Sequence, residues 1–354
     1  VSAPLRFVHV FSTFSRGGSQ VRATQLMRHM GRGVEHVVQA MDGNIEARSL
    51  IGPGVQVEFE PAPATGGFLK TRKAQVSWLR GQRPDLVLTY NWGAIETVAA
   101  AKRAGLPQVH HEDGFGVEEV SKRFRRRNWA RRWLLRGVPL IVPSRGLQRI
   151  AMDEWGVVAE RLDNGVDLQR FTPAAEEPLA LVVGTVGGMR PEKDYSTLLQ
   201  AFAKMKRAVK LCILGGGPLE RELRAECARL GLDQRVTFPG FSDDTPAHYR
   251  KFNVFVMSSR TEQMPIAVVE AMASGLPVVS TNVGDIGVMI AEPNRSLLVA
   301  PGDSGALAAA LDRICADRQL RRQLGAANRA EAVARYAGDR CLEAFASVYR
   351  RACR

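Results

Sequence analysis

Two glutamates, Glu262 and Glu270, are separated by seven intervening residues in the stretch FNVFVMSSRTEQMPIAVVEAMASGLPVVSTN, Phe252 to Asn282. An ionised carboxylate only accepts hydrogen bonds, and can take one from each hydroxyl of a vicinal diol. Such a pair suits the ribose of a nucleotide and the hydroxyls of a hexose. FNVFVMSS predicts a buried strand, PIAVVEAMASG a short helix with Pro265 near its start and Gly275 at its end, and PVVSTN a second strand. Strand, crossover helix and strand make a parallel-sheet unit. Glu262 then lies on the loop at the strand's carboxyl edge, where open parallel sheets bind ligands. Glu270 lies inside the following helix. The ligand class this suits is a nucleotide-linked sugar.

Further loops carry matching chemistry. SRGGSQ places Gly17 and Gly18 between a strand and a helix, where backbone and helix N-terminus can approach a phosphate. It is not a GxGxxG fingerprint. In GTVGGMRPEKD, Arg190 and Lys193 fall near the start of the next helix, a place for two cations beside a leaving diphosphate. LGGGP, with Gly216, is a close-approach turn on the same rim, and VTFPGF offers Phe241 as a wall for a nucleobase. VHHEDGFG gathers His110, His111, Glu112 and Asp113 at a strand end, where alternation puts His111 and Asp113 on one face. Either could position an acceptor hydroxyl or act as general base. Adjacent residues on a strand cannot all aim at one ion, so no metal site is expected.

The elements that must position these residues alternate along the chain. Apolar runs at RFVHVFS, HVVQAM, VQVEFEP, DLVLTY, QVHHED and PLIVPS are separated by helical patterns such as VRATQLMRHM. After RLDNGVDLQRFTPAAEEP the pattern restarts with LALVVGTVGG, VKLCILGGG, RVTFPGF, FNVFVMSS, PVVSTN and SLLVAP. The expected class is α/β, with two parallel-sheet domains over 1–172 and 173–336 and a helix at 337–354 packing back on the first domain.

The chain's 354 residues suffice for two domains, and its 45% hydrophobic and 24% charged content is that of a soluble enzyme. No apolar run reaches the ~20 residues of a membrane span. The opening VSAPLRFVHVFSTF runs into a strand rather than a basic-then-apolar leader. Five widely spaced cysteines without a CxxC pair point to a reducing cytoplasm.

Net charge is +13, and Ser121 to Gly137 holds eight basic residues and no acid, interleaved with Phe124, Trp129, Trp133 and Leu134. Two readings stand. Lys122 to Arg136 is a surface for anionic lipid or an anionic acceptor, or it is a solvated helix with its aromatics in the core. No recognition motif accompanies the charge, so nucleic acid is not an expected partner.

Together these residues resemble the retaining GT-B glycosyltransferases of family 4, the group 1 glycosyltransferases. The likeness covers nearly the whole chain. Glu262-x7-Glu270 with the following AMASGLPVV looks like that family's EX7E motif, NGVD at Asn164 to Asp167 its interdomain segment, RPEKD its diphosphate loop, and Gly17-Gly18 its glycine loop. The resemblance implies two Rossmann-like domains facing across a cleft, with the acceptor on the first and the nucleotide on the second. A UDP- or GDP-linked sugar would pass to a hydroxyl of a glycan or lipid-linked acceptor with retention, without metal or cofactor. The setting would be bacterial cell-surface polysaccharide or glycolipid synthesis, in the cytoplasm or on the inner face of the membrane. By the same resemblance Glu270 would bind the ribose, Glu262 would lie near the donor sugar, and Lys193 would contact the diphosphate. Gly188, Met264, Pro265 and Ile266 would complete the donor site.

Three departures matter. Gly188 stands where the family often has Arg, leaving the diphosphate to Arg190 with Lys193 or to Lys193 alone. EQMP replaces the usual EGxP, putting Gln263 beside the sugar. The family's first-domain histidine corresponds to either Asp113 or His111. The rivals are a sugar-nucleotide epimerase of the same two-domain plan and a non-enzymatic basic membrane-binding protein.

Overall fold

The computed structural model of the chain describes residues 3–63, 66–115, 119, 124–178 and 180–353. Lys122 and Arg123 of the basic segment lie outside them. Among the described residues the strands form two parallel sheets, of seven and six strands. The chain divides into two compact units, Val1–Asp163 with Asp339–Arg354, and Asn164–Gly338.

The first sheet contains β1 (Leu5–Phe11), β2 (Val34–Ala40), β3 (Val57–Glu60), β4 (Leu86–Tyr90), β5 (Gln108–His111), β6 (Leu140–Val142) and β7 (Ala159–Arg161). Their order is β3-β2-β1-β4-β5-β6-β7. Central strands are buried on both faces, which explains near-continuous runs such as LVLTY in β4. The order reverses between β1 and β4, and there the sheet opens a crevice at its carboxyl edge. The C-terminal helix Gly338–Ala352 belongs to this unit's core, inserting Phe345, Val348 and Tyr349 beside Phe7 and Val109.

The second sheet contains β8 (Val182–Val186), β9 (Lys210–Leu214), β10 (Val236–Gly240), β11 (Val254–Met257), β12 (Val278–Thr281) and β13 (Leu298–Val299), in the order β10-β9-β8-β11-β12-β13. Its reversal lies between β8 and β11, so the loops after those two strands share the crevice end. Between β11 and β12 runs the helix Ile266–Ala273, with Pro265 at its N-cap and Gly275 at φ +70° just beyond its end.

The unit boundaries differ from the expected ones. Residues 164–172 join the second unit because their polar groups are satisfied there. The Asn164 amide donates to the Met264 sulfur at 3.2 Å, Val166 N donates to Tyr336 O at 3.0 Å, and Arg329 donates to the carbonyl of Phe171 at 2.8 Å. Glu177, in the stretch read as a linker, is held by Arg318 and Arg321 at 2.5 and 2.8 Å. Among the described residues no helix is long and apolar enough to cross a membrane.

Candidate functional site

In the second unit the loop after β8 carries the diphosphate candidates. The turn Pro191–Lys193 leads into Asp194, whose backbone is left-handed at φ +47° and whose carboxylate accepts from Thr197 Oγ1 at 2.8 Å. The other carboxylate oxygen of Asp194 accepts from the Thr197 backbone N–H at 3.4 Å and so caps the helix Tyr195–Lys204. Met189 N donates to Gly216 O at 2.9 Å, and Gly215 N to Gly240 O at 2.9 Å, lacing together the loops after β8, β9 and β10. Gly215 sits at φ +133°, and a Cβ there would meet the Gly187 carbonyl, so glycine is required for this approach. Phe241 stands over Gly216 and is 54% exposed.

The loop after β11 is tied to the loop after β8 at the reversal point. Lys193 Nζ donates to Glu262 Oε1 at 2.5 Å, and Ser259 Oγ donates to the same oxygen at 2.7 Å. Ser258 Oγ donates to the Lys193 carbonyl at 2.9 Å, and Arg260 reaches Asp194 at 2.9 Å. From the far side Gly284, at φ +56°, crosses the backbone of Glu262 and Gln263 so closely that a Cβ would meet their carbonyls. Glu262 and Lys193 are thus one partly buried ion pair, 11% and 17% exposed, on a fixed loop.

Arg190 addresses the departure at Gly188. Its Nε lies 3.2 Å from where a Cβ of Gly188 would be, so its guanidinium covers the place a side chain at 188 would fill. It also pairs with Glu192 at 3.2 Å and is half exposed.

Glu270 lies in the second turn of its helix, where its Oε2 accepts from the fully buried Tyr249 hydroxyl at 2.8 Å. Burial pushes this carboxyl up to about 7, against the Tyr249 hydrogen bond and the Arg170 charge, which pull it down. Burial, with Glu270 beside it, raises Tyr249 well above the usual phenol range, so it stays a donor. Met264 is 6% exposed in the second unit's core, where its sulfur accepts from the Asn164 amide at 3.2 Å. Pro265 is likewise buried, and Ile266 partly so.

In the first unit Gly17 is the N-cap of the helix Gly18–Met30, which follows β1 after a short loop. The HHED cluster is engaged internally. His110 bonds Thr89 at 2.8 Å. His111 is fully buried, stacked on Tyr90, with its Nε2 3.0 Å from the Tyr349 hydroxyl of the C-terminal helix. Burial and the Arg22 charge hold it well below the usual histidine range, and so neutral. Asp113 keeps 16% exposure, but Arg22 clamps both its oxygens at 2.6 and 2.9 Å, and Asn91 Oδ1 accepts from its amide at 2.8 Å. His111 therefore positions the C-terminal helix, and of the two candidates Asp113 is the one at the strand edge.

Glu112 is fully buried against Arg131 at 3.1 Å. Arg131 is itself fully buried, bonded to Glu119 at 3.3 Å and set over the rings of Trp92, Phe115 and Trp155. Sequence reasoning missed Tyr249, Ser259, Arg22 and Asn91. Each acts through a partner at least 21 residues away except Ser259, which bonds Glu262 three residues on in a loop without periodicity.

Comparison with known proteins gives the same outline. A family model described as "Glycosyl transferases group 1" matches residues 170–331, and one described as "Glycosyl transferase 4-like domain" matches 17–164. The lipopolysaccharide core biosynthesis glycosyltransferase LpsE of Rhizobium meliloti is 31% identical over 180 residues, 51% of this chain and 52% of that protein. The chain thus matches about half the length of this relative. The putative glycosyltransferase EpsF of Bacillus subtilis is 26% identical over 309 residues, 78% of this chain and 79% of that one. In fold, the chain is similar to Anabaena HepE solved with UDP and glucose, with TM-score 0.84 at 19% identity, covering 97% of this chain and 99% of that one.

Proposed function

This chain belongs to the group 1 glycosyl transferases, and we propose that it moves a sugar from a nucleotide-linked donor to an acceptor hydroxyl with retention of configuration. The observation that carries the reading is the pairing of Lys193 with Glu262 at the reversal point of the second sheet, on the loop that leads into Glu270. Glu270, oriented by Tyr249, receives the ribose hydroxyls. Lys193 and Arg190 take the diphosphate, with Arg190 supplying the cation that Gly188 lacks. Glu262 holds Lys193 in place and faces the donor sugar.

In the step, the bond between the anomeric carbon and the diphosphate oxygen breaks as the acceptor oxygen bonds to that carbon from the same face. The acceptor proton passes to the departing phosphate oxygen, and the cations offset the charge left on the diphosphate. UDP in HepE and the lipopolysaccharide core named for LpsE support a UDP- or GDP-linked donor and a cell-surface glycan or lipid-linked acceptor. The five free cysteines, four of them buried, support a reducing cytoplasmic setting.

Thermal shift across UDP-, GDP- and ADP-linked sugars identifies the donor, and NMR of the product reads its anomeric configuration. A product of inverted configuration contradicts the mechanism. Conversion of the nucleotide-sugar without an acceptor would favour the epimerase.

A further inference from the structure

The basic segment folds in the opposite sense to a helix that hides its aromatics. Its helix Arg125–Leu134 buries Arg131 completely, while Trp129 and Trp133 are 66% and 58% exposed. The two indoles stand four residues apart on one helix face, with ring centroids 5.9 Å apart. The orientation is fixed from inside. Arg131 is paired to Glu112 and Glu119, Arg127 to Glu119 at 3.0 Å, and Asn128 bonds both Glu154 at 2.6 Å and the Trp155 indole at 3.2 Å. Rolling the helix to bury the indoles would expose these bonds and leave Glu112 without its cation.

The outward face therefore carries two rigid amphipathic rings among the exposed Arg125, Arg126, Arg132 and Arg136. Phe124 beside them is 42% exposed. On the adjoining turn, Met152 is 52% exposed and Asp153 is an exposed acid. Indole rings place an apolar body in the acyl boundary and an N–H at the headgroups. Arginine stems lie along apolar surface while their heads reach phosphate.

We propose that this face docks on an anionic lipid bilayer, with Trp129 and Trp133 seated in the headgroup layer and the four arginines bound to lipid phosphates. Charge complementarity selects the occupant: the exposed cations on the helix face a phosphate-bearing plane, and the paired indoles give that plane something to insert. A single-stranded nucleic acid would use the same arginines but would respond differently in the test. The docking does not depend on the transfer chemistry proposed above.

The test is co-sedimentation of the full chain with vesicles of equimolar phosphatidylglycerol and phosphatidylcholine, and with phosphatidylcholine alone. The expected result is binding to the first only, weakening as salt rises. Trp129→Ala/Trp133→Ala should weaken it at least roughly tenfold. Arg125→Ala/Arg126→Ala should weaken it by roughly fivefold per residue removed. Both pairs are exposed, so unchanged thermal unfolding and nucleotide binding in the variants show that the fold and donor site are intact. Failure to bind the anionic vesicles at low salt overturns the proposal, as does binding that survives loss of both tryptophans. Tight binding to single-stranded oligonucleotides without vesicle binding overturns it in favour of nucleic acid.

Discussion

The loop-and-helix stretch from Ser258 to Glu270 and the strand-end stretch from His110 to Asp113 both present clustered ionisable groups at the carboxyl edge of a parallel sheet. They differ in where those groups are directed. In the second unit Lys193 pairs with Glu262 across neighbouring loops, Ser259 supports Glu262 within its own loop, and Glu270 is held by Tyr249 from an adjacent helix. In the first unit His110, His111 and Glu112 turn inward, to Thr89, Tyr349 and Arg131. Only Asp113 stays at the edge, clamped by Arg22. A local cluster of reactive side chains is therefore weak evidence for a site, because partners far along the chain decide whether it serves structure or substrate.

Substitutions separate the two regions. The largest effect is expected for Arg131→Ala, which leaves Glu112 buried without a cation. Loss of one partner of such a pair costs about 3–5 kcal/mol, so urea unfolding should show the first unit strongly destabilised while the second still binds nucleotide. Lys193→Ala should reverse that profile, lowering kcat by roughly 10²–10³ with little change in the unfolding midpoint. A stability loss from Lys193→Ala as large as that from Arg131→Ala would erase the distinction. Arg190→Ala should cost less, roughly three- to tenfold in kcat/KM, because its guanidinium is half exposed and screened. Donor turnover measured beside Lys193→Ala gives that ratio.

Much of the second unit was legible because its signals are local. The alternation of apolar runs with helical stretches located β8 to β13. Pro265 and Gly275 bracketed the helix that carries Glu270, and the two glutamates announced themselves by spacing. β7 was not legible, because Ala159–Arg161 is a three-residue edge strand with one buried position and no apolar run. The burial of Met264 was not legible for the opposite reason. Its sulfur meets the amide of Asn164, 100 residues earlier, and no local pattern reports that contact. The exposure of Trp129 and Trp133 could not be read from composition either. It follows from the anchoring of Arg131 by Glu112 and Glu119, a long-range arrangement that reverses the usual preference of arginine for the surface.

The role of Glu270 as nucleotide anchor is tested most directly by donor affinity against pH in the native chain and in Glu270→Gln. The nucleotide-sugar chosen by thermal shift has a diphosphate diester that takes up no proton between pH 6 and 8, roughly the span that brackets a carboxyl at about 7. The charged carboxylate accepts from both ribose hydroxyls and the protonated form does not. Affinity should therefore be full above that value and fall as pH drops through it, by up to about tenfold per pH unit. Glu270→Gln should bind at least roughly tenfold more weakly at pH 8, having lost charge-assisted hydrogen bonds of ~1.5–3 kcal/mol each, and should show no such slope. Equal affinity in the two proteins, or the same pH slope in both, would contradict the assignment.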